Sequence, residues 1–317
     1  MSYATQAKRF GLKKETTRLT AESTPDYWFA ADPESNMDYA LKHIQDPSIR
    51  GVHAAMPPVA GPKTCEGKIM LPANAQDVGE LFHMLLGDAV SAQQAATSAY
   101  LHTFTPNASI SPDTYTIFED RGLNVMKYNG CAVKKIDLSC AVDGLVKLGA
   151  EIIGIAEASG SIGTPSYAGS ALLAFPNVTA KLGGSSDTNI RSWACSIENG
   201  LQAKRTLAQS QNAQDVVRMG QYKASGSFVI FFENATQRDN FIANTAQAVQ
   251  FLIEGAIIAS TYKYTIDVSF PKAHFTAFPY EDEGGLLAAK VTFEAFYDTA
   301  TSKLCSVAVT NTKTAYA

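Results

Sequence analysis

Alternating apolar and polar residues predict antiparallel strands in both halves of the chain. In residues 133–140, Ile136 and Leu138 alternate with Asp137 and Ser139, and a period of two recurs in residues 262–270. Further β-rich or alternating runs predict strands at residues 67–71, 149–155, 226–232 and 286–297. Such alternation is typical of strands that bury one face and expose the other.

Two stretches carry apolar residues at helical spacing instead. Residues 77–86 have them at i, i+3, i+4, i+7 and i+8, which predicts an amphipathic helix, and residues 237–253 predict a second. Asn74 and Asn234 precede these stretches. We expect both to act as N-caps, because a short Asn side chain can accept hydrogen bonds from the unpaired amides of a first helical turn.

The two halves repeat one another. Three landmarks recur at an offset of 159 or 160 residues, namely Gly61, Gly67 and Asn74 in the first half and Gly220, Gly226 and Asn234 in the second. A second echo, of Ile136-Asp137-Leu138-Ser139 by Ile266-Asp267-Val268-Ser269, has an offset of 130. The first half is therefore expected to contain about 30 extra residues between its landmarks.

The repeat and a Gly-, Ser- and Pro-rich midpoint predict two domains. The chain of 317 residues is long enough for two cores. We expect a first unit over residues 1–157 with a polar N-terminal arm and an inserted loop at about 88–120, a linker over 158–170, and a second unit over 171–317. The alternative is a long surface loop within one domain. The fold class expected is mainly β with flanking helices (α+β), as two tandem, duplicated β-sandwich or barrel units.

Composition limits the partners. Charged residues make up 18% of the chain and the net charge is −4, whereas a protein that grips nucleic acid needs concentrated Lys and Arg. The five cysteines, odd in number and without metal-ligand spacing, are expected to be reduced and buried. No stretch predicts a signal peptide or a membrane span, so we expect synthesis in the cytoplasm and no membrane partner.

The sequence offers no catalytic, cofactor-binding or metal-ligating motif. The segment 159–163 resembles a phosphate loop only superficially, since no Lys-Ser/Thr pair follows it. The acidic segment 280–285 lacks calcium-loop spacing and predicts a hairpin tip. We therefore expect no cofactor and no enzymatic activity.

Taken in order, ten short segments resemble the tail tube proteins, or major tail proteins, of long-tailed, siphovirus-like bacteriophages. They begin with Tyr27-Trp28-Phe29-Ala30 and continue at residues 46–51, 57–61, 65–69, 78–87, 100–104, 128–131, 196–201, 224–227 and 309–311. The resemblance implies a structural virion protein, made in the host cytoplasm, that self-assembles into stacked rings. These rings would form a hollow tube through which DNA passes to the host cell without specific binding. The partners implied are further copies of the chain and the tape-measure, tail terminator and tail tip proteins.

The duplication predicts the ring size. If each unit supplies four strands, six units at about 4.8 Å per strand give a channel about 37 Å wide, enough for duplex DNA. We therefore predict three chains in a pseudo-sixfold ring, with six chains as the alternative. The residues expected to face the lumen are Asp137, Ser139, Asp267 and Ser269, and the inserted loop is expected to make stacking or inter-subunit contacts.

Three other functions fit less well. The nearest is the inner tube of a contractile tail, a gene transfer agent or a secretion apparatus. A two-domain carbohydrate-binding virion module would need more aromatic platforms than Trp28 and Trp193 can supply. An enzyme with a site built from distant residues is the third.

Overall fold

The computed structural model describes residues 7–51, 53–169 and 171–316, and within them the chain is mainly β, as predicted. Two α-helices lie in these ranges, α1 (Val78–Leu86) and α2 (Thr236–Ile242). The first half contains ten strands, β1 (Arg9–Lys14), β2 (Tyr27–Phe29), β3 (Asn36–Ile44), β4 (Val59–Pro72), β5 (Gly87–Gln93), β6 (Tyr100–Pro106), β7 (Tyr115–Asp120), β8 (Val125–Ala141), β9 (Lys147–Gly154) and β10 (Ala156–Ser159).

Residues 171–316 contain eleven strands. They are β11 (Val178–Leu182), β12 (Ser185–Ser186), β13 (Ile190–Glu198), β14 (Leu201–Lys204), β15 (Asp215–Arg218), β16 (Lys223–Phe231), β17 (Gln247–Ala259), β18 (Tyr262–Ala277), β19 (Tyr280–Glu283), β20 (Leu286–Ala295) and β21 (Ser306–Asn311). The strands predicted from alternation all overlap observed strands. The acidic segment 280–285 contains β19 and the Gly284-Gly285 turn into β20, and so forms the tip of a hairpin, as predicted.

The two halves have the same pattern of strand pairing. Seven antiparallel pairings in the first half, β1–β2, β1–β7, β3–β4, β4–β9, β7–β8, β8–β9 and β8–β10, correspond in order to β11–β12, β11–β17, β13–β16, β16–β20, β17–β18, β18–β20 and β18–β21 in the second. The β5–β6 hairpin in the first half and the β14–β15 hairpin in the second lie outside this correspondence.

Landmark residues occupy matching positions in these pairings. Gly67 lies opposite Met37 in β3, and Gly226 lies opposite Cys195 in β13. A Cβ at Gly67 would lie 2.4 Å from the Met37 sulfur, and one at Gly226 would lie 2.5 Å from the Phe293 ring. Both positions therefore require glycine because neighbouring strands pack too closely for a side chain.

The two predicted capping residues make similar hydrogen bonds, but the observed N-caps are Asp77 and Ala235. Asn74 Oδ1 accepts a hydrogen bond from the Gln76 amide at 3.0 Å, and Asn234 Oδ1 accepts one from the Thr236 amide at 3.0 Å. The helices begin within one residue of the predicted starts, at Val78 and Thr236. The prediction that Asn74 and Asn234 are the N-caps was wrong, because each side chain bonds within the turn that precedes its helix.

Two pairings join the halves into one hydrogen-bonded network. β8 pairs with β13, and β6 pairs with β21. Together with the pairings inside each half, the first of these gives a sheet of eight strands in the order β3-β4-β9-β8-β13-β16-β20-β18. A second sheet runs β12-β11-β17-β18-β21-β6-β5, and β18 takes part in both. The buried residues of the two sheets form one core cluster that includes α1.

The prediction of a helix over residues 237–253 was wrong beyond Ile242. β17 begins at Gln247, and Val249, Phe251 and Ile253 are buried along one face of it with a period of two. The spacing of Phe241, Val249 and Ile253 also suits a helix, but tertiary burial of alternate residues decides the strand.

Two irregular segments that the sequence predicted are structured in the described residues. The inserted loop at 88–120 contains strands β5, β6 and β7, so it is not a loop. The N-terminal arm forms β1 from Arg9 onward, and Phe10 and Leu12 are buried in its own chain. The expected linker packs against the first half through Ile162, which is buried. Residues 1–6 of the N-terminal arm and Ser170 of the linker lie outside the described residues.

Helix α1 packs against the sheets as part of the core. All nine of its residues are buried, including Glu80 and His83. Glu80 forms an ion pair with Lys313, and Tyr316 is buried beside the helix. The segment that follows β21 therefore covers α1 and closes the core. All five cysteines are buried and free, as predicted.

Candidate functional site

The eight-stranded sheet has one polar face. Along β8, Ile136, Leu138 and Cys140 are buried, whereas Asp137 and Ser139 are half-buried or exposed. Neighbouring strands place more polar residues beside them in register, namely Lys147, Glu151, Ser196, Glu198, Lys223, Ser225, Ser227 and Glu294. This polar face crosses the junction between the two halves, since β8 and β13 are adjacent.

Charges of opposite sign alternate across the polar face. One cross-strand row runs through five neighbouring strands in the order Lys68, Glu151, Lys135, Glu198 and Lys223. Opposite charges directly across from one another stabilise a sheet, and here they also cancel within the row. The polar face therefore has little net charge despite its many ionised groups.

Lys135 illustrates this balance. Its Nζ lies 3.1 Å from the Asp137 carboxylate and 3.9 Å from that of Glu151. Partial burial disfavours the Lys135 ammonium, but the hydrogen bond and charge of Asp137 outweigh it, so the pKa of Lys135 is raised. The lysine is therefore charged and already paired with carboxylates of its own chain.

The structure separates the four residues predicted to share one surface. Asp267 and Ser269 lie in the part of β18 that pairs with β17 and β21, and so belong to the second sheet. The Gln250 side chain donates to both Asp267 oxygens at 2.9 and 2.8 Å. Burial raises the pKa of Asp267. The sequence echo at offset 130 therefore joins positions that are not equivalent in the pairing pattern.

The eight-stranded sheet ends at two strand edges that correspond to the paired edges at its centre. β3 matches β13, and β19 with the end of β18 matches the part of β8 that pairs with β9. In the described part of the chain, β3 pairs with β4 alone and β19 with β20 alone. The two strand edges that meet where β8 pairs with β13 therefore have equivalents at the two ends of the sheet. These equivalents are β19 and β3, and their outer edges pair with no strand in the described residues.

Part of the β3 edge is covered by side chains. The Met37 amide donates to Glu119 Oε2 at 3.3 Å, and Arg121 Nη2 donates to the Met37 carbonyl at 2.5 Å. We call Glu119 and Arg121 the edge cap. Sequence analysis missed it, although Glu119, directly after the mostly apolar run of residues 115–118, was a signal, because a charge in such a strand needs a buried partner.

The β14–β15 hairpin was also missed. Its Leu201, Ala213 and Val216 form a small apolar cluster with Ile153 and Ile155 of the first half. The hairpin therefore holds the two halves together at one end of the sheet. Its sequence, with few apolar residues at irregular spacing, gives no clear strand signal.

Within residues 7–51, 53–169 and 171–316, no group of three or more His, Cys, Asp or Glu side chains could hold a metal ion. Neither helix in these ranges has the length and apolar composition needed to cross a bilayer.

Comparison with known proteins adds one finding. A family model described as phage tail tube protein matches residues 5–295 of the chain. No curated protein matches the sequence.

Proposed function

The chain belongs to the phage tail tube protein family, and we propose that three copies close into a ring whose stacked repeats form the channel of a phage tail. The two halves act as repeats of one unit, residues 1–157 and 171–317 joined by 158–170. Each ring then has pseudo-sixfold symmetry. The role is structural, without catalysis or cofactor.

The side-by-side contact of β8 and β13 carries this proposal. It joins different edges of two similar units, which is a heterologous contact, and such contacts produce closed rings when the rotation between units allows. Repeating it between β19 of one copy and β3 of the next extends the eight-stranded sheet around the ring. The edge cap at Met37 must open, or the neighbouring strand must pair beyond it, from Tyr39 onward.

The strand number is consistent with passage of DNA. Three chains supply eight strands each, and at about 4.8 Å per strand the wall is about 115 Å around and about 37 Å wide. Duplex DNA is roughly 20 Å across, estimated from its groove depths. A ring of six such chains would be about twice as wide and would hold DNA loosely.

The polar face is the surface that suits the channel wall. Alternating Lys and Glu residues leave it nearly neutral, so it offers phosphates few unpaired cations. Asp137 and Ser139 then line the channel, whereas Asp267 and Ser269 lie on the other sheet. The ends of the tube meet the tape-measure, tail terminator and tail tip proteins.

Electron microscopy of the assembled protein tests this proposal. Class averages of end-on views, combined with native mass spectrometry of single rings, should show three chains, a six-lobed outline and a bore of about 40 Å. Rings of six chains would overturn the stoichiometry. A protein that remains monomeric at every concentration and in the presence of its tail partners would overturn ring formation.

A further inference from the structure

The β14–β15 hairpin fills a site on the first half of its own chain. The Lys63 amide donates to the Gln211 carbonyl at 2.9 Å, and Arg205 donates to the Lys63 carbonyl. The Tyr39 hydroxyl bonds Asn212 Oδ1 at 2.5 Å. These contacts, with the small apolar cluster around Ile153 and Ile155, bury Ala213 and Val216. The hairpin is thus a segment of one unit docked on its neighbour.

The first half has a segment in the equivalent place. Residues 41–51 and 53–62, which we call the arm, comprise the end of β3, the connection to β4 and the start of β4. They take the place that residues 199–221 take between β13 and β16, and the two segments have nearly the same length. Among its described residues, apolar side chains are exposed to solvent. Ile44, Ile49 and Val59 are 56%, 98% and 64% exposed, and Ala54, which corresponds to the buried Ala213, is exposed too.

The second half has a site equivalent to the one that the hairpin fills, and it is open. A groove of about 890 Å³ lies there, lined by residues that include Tyr222, Glu294 and Phe296. Glu294 occupies the place of Ile153 in the strand register. Tyr222 and Phe296 lie just outside the paired residues of β16 and β20, as Lys63 and Ile155 lie just outside those of β4 and β9. Phe296 and the adjoining Tyr297 are 46% and 59% exposed, whereas Ile155 under the hairpin is 8% exposed.

We propose that the arm of one copy docks in this groove on the second half of a neighbouring copy. The inference rests on the proposed ring, in which β3 of one copy lies beside β19 of the next. The arm would then reach its neighbour's groove as the β14–β15 hairpin reaches the first half. Docking covers Phe296 and the apolar residues of the arm, and so adds a second contact to each subunit junction.

Cysteine cross-linking in the full-length protein tests the docking. Chains carrying Ala54→Cys are mixed with chains carrying Phe296→Cys, assembled and oxidised, so that only an intermolecular contact can join them. The native cysteines are buried and free, which limits competing reactions. We expect about tenfold more covalent dimer than in a control mixture of Leu207→Cys with Phe296→Cys, since docking raises the effective concentration of the pair.

The outcomes separate this inference from the proposed function. Rings seen by electron microscopy together with the Ala54–Phe296 cross-link support both. Rings without that cross-link, or with equal cross-linking in the control, overturn arm docking and leave ring formation standing. If neither rings nor cross-links form, both fail. Circular dichroism of each single variant establishes that it is folded before mixing.

Discussion

Arg121 Nη2 lies 2.7 Å from the Glu119 carboxylate, and both side chains are bonded to the backbone of Met37 on the outer edge of β3. Exposed strand edges are sites where chains pair, and proteins protect them until pairing is wanted. The edge cap occupies the edge that the proposed ring uses. It can therefore slow assembly of free chains.

We expect Arg121→Ala to speed assembly and to lower stability. The Glu119 carboxylate is fully buried and would lose its guanidinium partner, at a cost of about 2 kcal/mol in the free energy of unfolding. Light scattering at matched concentration measures assembly, and urea denaturation measures stability. Arg238→Ala, which removes an exposed ion pair with Asp239, is the control and should change neither. An assembly rate unchanged by Arg121→Ala would show that the edge cap has no such role.

The unfolding free energy should depend on pH through His83. Burial lowers the pKa of His83 to about 4, and its Nδ1 lies 3.0 Å from the Tyr115 hydroxyl. The folded pKa is below the unfolded value of 6.5, so this stability is present above pH 6.5 and is lost as pH falls towards 4. Between pH 7 and pH 5 the loss is about 2 kcal/mol.

Urea denaturation of wild type and His83→Gln at the two pH values isolates this effect. The variant cannot titrate at this position and should lose about 2 kcal/mol less than wild type. Glu80, whose pKa burial raises, contributes with the opposite sign but is present in both proteins. His43→Gln, an exposed site in the arm, should behave as wild type. Equal pH dependence in wild type and His83→Gln would contradict the prediction.

The segment after β21 should be coupled to α1 through Gly79 and Tyr316. A Cβ at Gly79 would lie 2.0 Å from the Tyr316 hydroxyl oxygen. We expect Gly79→Ala to lower the melting temperature, with a cost of about 2–3 kcal/mol, because the core cannot accept the methyl group without displacing the tyrosine. Gly169→Ala, at a position with open space around it, is the control.

A double-mutant cycle tests the cause. Tyr316→Ala removes the clash but leaves a cavity, so the double variant with Gly79→Ala should cost less than the sum of the two single changes. Additive costs would place the effect of Gly79→Ala elsewhere, for example in the backbone of α1.

The sequence was informative where one strand decides its own structure. The alternation of Val291, Phe293 and Ala295 predicted β20 well, since one face is buried and the other is not. The sequence was not informative where the structure of a segment depends on strands that are distant in the chain. Nothing local shows that β8 pairs with β13, or that Val249 and Phe251 belong to a strand that β11 and β18 flank. The similar sequences around Asp137 and Asp267 do not reveal that the two residues lie in different sheets.

The channel surface can be identified by adding charge to either sheet. Ser139→Lys places three extra cations per ring on the polar face, whereas Ser269→Lys places them on the second sheet; both positions are strand serines at matching places in the sequence echo. If the polar face lines the channel, tubes of Ser139→Lys should retain duplex DNA, because the lysines face phosphates in a confined space, and retention should weaken as salt rises. Ser269→Lys tubes should retain as little DNA as wild type.

Co-sedimentation of assembled tubes with short linear DNA measures this retention, and electron microscopy verifies that both variants form tubes. Retention by Ser269→Lys alone would place the second sheet on the channel and reverse the assignment.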